Sequence, residues 1–68
     1  MSDVRKAAVM SLLVTMYELV QAHKHGMPSG ELYALVMGVV TLQQYEYLVG
    51  ILIEKGKLHR AGHLLTAL

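Results

Sequence analysis

The chain contains no cysteine, which excludes disulfides and thiolate metal sites and leaves the redox compartment open. Charge is scarce as well. Asp, Glu, Lys and Arg make up 16% of the 68 residues, and the formal net charge is only +1. A strongly basic balance would argue for nucleic acid by itself; this one is nearly silent about partners. No long uninterrupted apolar run is present either. The best candidate, Ala7 to Val20, is broken by Ser11, Thr15 and Glu18 and falls short of the ~20 residues a spanning helix requires. Asp3, Arg5 and Lys6 precede it in the manner of a signal peptide. The run leads, however, into Gln21, His23, Lys24 and His25, with no small-residue cleavage site. It reads as a helix of a cytoplasmic protein with no membrane role. Repeats, low-complexity tracts and linkers are lacking, so residues 1–68 read as a single domain.

What the chain does have is apolar side chains: 54% of the residues, with a mean hydropathy of +0.43. A chain this short buries only about 60% of the surface its unfolded form exposes. So much apolar surface implies either an unusually dense core or a face shared with a partner.

Residues Thr41 to Arg60 carry the clearest local signals. Thr41 with Gln44 forms a capping box, and Val40 with Tyr45 has the spacing of a hydrophobic staple. Leu42, Tyr45, Leu48, Val49 and Leu52 then fall on one side of a 3.6-residue helix. Gly56 is expected to end that helix in the left-handed C′ conformation. A Lys57-Leu58-His59-Arg60 strand, an Ala61-Gly62 turn and a His63–Thr66 strand complete a hairpin. Upstream, a first helix is expected from Asp3, as N-cap, to His25, with Lys24, His25 and Gly26 as its end. Met27 and Pro28 form a connection. Ser29 is the expected N-cap of a short second helix, Gly30 to Met37, on which Leu32, Leu35 and Val36 share a face. Gly38, Val39 and Val40 turn the chain into helix three.

Helices two and three, one short turn apart, have the arrangement of a helix-turn-helix. The residues around Ala34, Gly38 and Leu48 resemble helix-turn-helix segments. The run through Leu48, Leu52, Gly56, Leu58 and Arg60 is similar to the helix-to-wing junction of the winged helix-turn-helix DNA-binding superfamily. The resemblance covers about Ser29 to Thr66 and implies a mostly helical α+β fold: three helices and a C-terminal β-hairpin wing.

In that family helix three commonly enters the major groove of double-stranded DNA. The outward side here carries Gln43, Tyr47, Gly50 and Glu54, flanked by Gln44 and Glu46. Gln43 and Gln44 are candidates for bidentate contacts to adenine, and Tyr47 for a phosphate or sugar contact. Glu46 opposes this, and helix three has no Lys or Arg before Lys55. Phosphate contacts fall instead to Lys57, Arg60 and His63 in the hairpin, with His59 beside them. Equally, these charges serve an exposed hairpin by blocking edge-to-edge pairing. The expected function is therefore a small DNA-binding, transcription-regulating protein, with a protein-interaction module as the alternative.

The histidines do not make a metal site. His23 and His25 do not share a helix face, and His59 and His63 straddle the hairpin turn without a zinc-like spacing. Ser11 and Ser29 have no neighbouring histidine in a nucleophile arrangement, and the carboxylates are spread singly. No enzyme, metal or cofactor is expected. On helix one, Val9, Leu12, Leu13, Met16 and Val20 form a stripe for the core. Met10, Val14 and Tyr17 form a second stripe, expected to be exposed and to join a homodimer.

Overall fold

A computed structural model describes residues 2–68, with side chains from Arg5 onward. Its elements run α1 (Ser2–Gln21), β1 (Met27–Pro28), α2 (Ser29–Val36), α3 (Leu42–Glu54), β2 (Leu58–Ala61) and β3 (Leu64–Ala67). The strands form one antiparallel sheet in the order β1-β3-β2. The fold is thus mostly helical α+β, with a three-stranded sheet where a two-stranded hairpin was expected. Met27 pairs with Leu65 and Pro28 with Leu64. This strand escapes sequence reading because it is two residues long and half of it is proline. Proline is tolerated there because β1 lies at the sheet edge, where its missing N–H is not needed.

The three helices and the sheet enclose one cluster. Met16 and Val20 come from α1, Leu32 and Val36 from α2, Tyr45, Leu48, Val49 and Leu52 from α3, and Met27, Leu58 and Leu65 from the strands. The α1 and α3 stripes read from the sequence therefore do face the core, with one correction in α3 and one in α2. Leu42 is 55% exposed, because it opens the first turn of α3 and sits at the margin of the stripe centred on Leu52 and Tyr45. Leu35 is 61% exposed. The buried side of α2 is Ser29, Leu32 and Val36, the i, i+3, i+7 positions, which turn Leu35 away.

Helix ends separate sound expectations from mistaken ones. The α3 start is as expected: the Gln44 N–H donates to Thr41 Oγ1 at 3.1 Å, and the Thr41 N–H donates to Gln44 Oε1 at 2.9 Å. So is its end. Gly56 has φ +74, its N–H donates to the Ile53 carbonyl, and the Lys57 N–H donates to the Leu52 carbonyl. This is the paired 5→2 and 6→1 bonding of a Schellman motif. α1 instead stops at Gln21, four residues before His25. The His23 ring Nδ1 bonds the Leu19 carbonyl at 2.8 Å, and the chain turns through Gly26 at φ +95 into β1. At its start α1 already includes Ser2, so Asp3 lies within the helix; its side chain is outside the described residues.

Ser29 is not a cap. Pro28 precedes α2 with no side-chain cap bond, and the Ser29 hydroxyl is used elsewhere. The hairpin turn is Gly62-His63, one residue later than expected, since Ala61 pairs with Leu64.

Candidate functional site

Two surfaces are candidates, and a buried polar contact holds together the elements of the first. Tyr45 is fully enclosed, and its hydroxyl donates to the Ser29 carbonyl at 2.8 Å. The Ser29 hydroxyl in turn lies 2.8 Å from the phenol oxygen, which accepts from it. Both oxygens of Ser29 are thereby satisfied inside the core, as buried polar groups must be. The Ser29 N–H donates to the His63 carbonyl at 2.6 Å. One serine therefore ties the first turn of α2 to both α3 and the hairpin turn. Burial pushes the Tyr45 phenol above its ordinary pKa; the Ser29 hydrogen bond opposes this, Glu46 adds to it and Arg60 subtracts.

The first surface is the outward side of α3 with the hairpin. Gln43 is exposed, and Tyr47 is 70% exposed. Gln44 is exposed too, but its side-chain oxygen is engaged in the capping box. Arg60, expected to hold phosphate, donates from Nη1 to Glu46 Oε1 at 3.0 Å and from Nε to the Gly62 carbonyl at 3.3 Å. The pair joins β2 to α3 and neutralises the one arginine of the hairpin on its own helix. The hairpin itself is short, and its tip does not project freely, because the His63 carbonyl is bonded to the start of α2. His59 and His63 remain exposed.

Second, along α1, Met10 and Val14 are 58% and 52% exposed. Tyr17, placed with them from the sequence, is only half-exposed; it packs against the core, and its hydroxyl donates to the Leu68 carbonyl at 3.3 Å. Two grooves flank the helix. One, of about 270 Å³, is lined by Leu13, Val14, Tyr17, Glu18, Leu52 and Lys57, among others. The other, of about 390 Å³, runs between the start of α1 and the α2–α3 turn, past Arg5, Val9, Leu12, Val40, Gln44 and Tyr47.

Three of the six residues expected to contact DNA line grooves, and not the same one. Gln44 and Tyr47 share a groove with Arg5, whereas Lys57 lies in the groove of Val14 and Tyr17. The Arg60–Glu46 pair and the Ser29–Tyr45 contact had no local signal, because their members are 14 and 16 residues apart in the chain. Among the described residues no group of three or more His, Asp or Glu side chains could hold a metal ion, and no helix is long and apolar enough to cross a membrane. Comparison with family models, curated proteins and solved structures gives no match to this chain.

Proposed function

We propose that the chain is a winged helix used as a protein-assembly module, which associates with a second copy of itself through α1. The element order α1-β1-α2-α3-β2-β3 and the β1-β3-β2 sheet support the winged-helix reading. The observation that favours assembly over DNA binding is the Arg60–Glu46 pair. Phosphate contacts supply most of the non-specific affinity for DNA. Here α3 carries Glu46 and Glu54 without a Lys or Arg, and the hairpin arginine that would compensate is spent on Glu46. Meanwhile α1 exposes Met10 and Val14 on successive turns, with no charged residue between Lys6 and Glu18, and apolar surface of this kind marks an interface.

DNA binding is the second reading. Lys57, His59 and His63 favour it, being exposed and without an ion-pair partner among the described residues. In that reading Gln43, Gln44 and Tyr47 face the bases, while Lys57, Arg60 and His63 hold the backbone. Titration of a labelled random duplex at about 50 mM salt, where non-specific binding is strong, separates the two. Assembly predicts no saturable retention. Retention that fades with added salt, and is lost on Lys57→Ala with Arg60→Ala, would establish DNA binding instead.

A further inference from the structure

Resting on the self-assembly reading, the pattern of α1 also assigns the partner's orientation. Lys6, Met10, Val14 and Glu18 are spaced at four-residue intervals and are all exposed. Successive members are displaced by only about 40° around the helix, so they form one continuous i±4n ridge, about 18 Å long. Its order is cation, apolar, apolar, anion. Reversed, the same ridge reads anion, apolar, apolar, cation, so it is complementary to an antiparallel copy of itself. Among the described residues neither Lys6 nor Glu18 has an ion-pair partner within the chain.

We infer that two copies dock α1 against α1 in antiparallel register about a two-fold axis that passes midway between Met10 and Val14, with Lys6 opposite Glu18 and Met10 opposite Val14 of the second copy. An isologous two-fold contact of this kind uses the same patch twice. Ridges of the i±4n class interdigitate with the helix axes inclined by about 50°, which keeps the two ridges side by side along their whole length. The flexible Met10 side chain of the second copy meets Val14 at the lip of the groove lined by Leu13, Tyr17 and Leu52, whose volume of about 270 Å³ accommodates a thioether. The ion pairs sit at the rim, where solvent screens them. They therefore set register and orientation more than affinity.

The test exchanges the charges singly and together, with association read by sedimentation velocity at low salt. In the inferred register Lys6→Glu alone and Glu18→Lys alone each place two like-charged pairs across the interface, and each weakens self-association by roughly tenfold or more. An equimolar mixture of the two single variants restores both ion pairs and associates as tightly as the wild type. So does the Lys6→Glu/Glu18→Lys chain with itself. Both positions are exposed, and rescue in the mixture shows that the variants fold. A parallel pairing would already oppose Lys6 to Lys6 and Glu18 to Glu18, so single exchanges that do not weaken association overturn the register while leaving self-assembly intact. Wild type that stays monomeric overturns both.

Discussion

At the scale of single residues, the molecule is organised around the Ser29–Tyr45 contact. Tyr45 is read from the sequence as an apolar core position of α3, and it is one. What the sequence could not reveal is that its hydroxyl needs an acceptor and that the acceptor lies in the first turn of α2. Tyr45→Phe removes that donor and leaves the buried Ser29 hydroxyl without its partner, so it should cost about 1–3 kcal/mol in urea or thermal unfolding. Ser29→Ala added to Tyr45→Phe should cost less than the sum of the two single changes, because they share one interaction. Alkaline pH provides an independent check. Burial holds the folded Tyr45 phenol above its ordinary value, whereas the unfolded phenol titrates near about 10. The native state therefore keeps its proton where the unfolded state has lost it. This contribution to stability is fully present below about pH 10 and is lost as pH rises through the folded pKa. Wild type should lose stability more steeply than Tyr45→Phe above that pH; parallel curves would contradict the account.

At the scale of elements, legibility followed the range of the interactions. The α3 segment was readable because its determinants are local: a capping box at Thr41 and Gln44, an apolar period through Tyr45, Leu48, Val49 and Leu52, and a glycine at the C′ position. β1 was not readable, because a two-residue strand exists only by virtue of the β3 edge it meets. The early end of α1 has the same origin: the chain must turn through Gly26 to deliver Met27 to Leu65. Ser29 looks like a cap in the sequence because serine favours caps, but its hydroxyl gains more from Tyr45 inside the core.

These causes give the two helix-following glycines different sensitivities. At Gly56 a side chain would meet only the positive φ, since no atom lies within 4 Å of the Cβ position, so Gly56→Ala should cost about 1–2 kcal/mol. At Gly26 the Cβ would also approach Leu64 Cγ to 2.8 Å. Gly26→Ala should therefore cost more than Gly56→Ala, by about 1 kcal/mol or more, in the same unfolding assay. The reverse order would show that the α1–β1 turn is less constrained than its geometry implies.

At the scale of the whole molecule, the candidate site was partly legible. Met10 and Val14 were read as an exposed apolar stripe, and they are exposed. Tyr17 shares their stripe in the sequence but packs against the core, and its hydroxyl reaches the Leu68 carbonyl. The expected DNA set rests on side-chain types along the chain. Within it, Gln44 is engaged in the cap of α3, Arg60 is paired with Glu46, and Lys57 lies beside α1. What remains continuous is the apolar ridge of α1, and the central claim is that a second copy covers it. Sedimentation velocity of the wild type, run from low to high micromolar concentration beside Val14→Glu, tests that claim most directly. The account predicts a concentration-dependent shift from monomer to dimer in the wild type, and a monomer throughout for Val14→Glu, whose carboxylate would be buried unpaired. A wild type that sediments as a monomer at high micromolar concentration would contradict it.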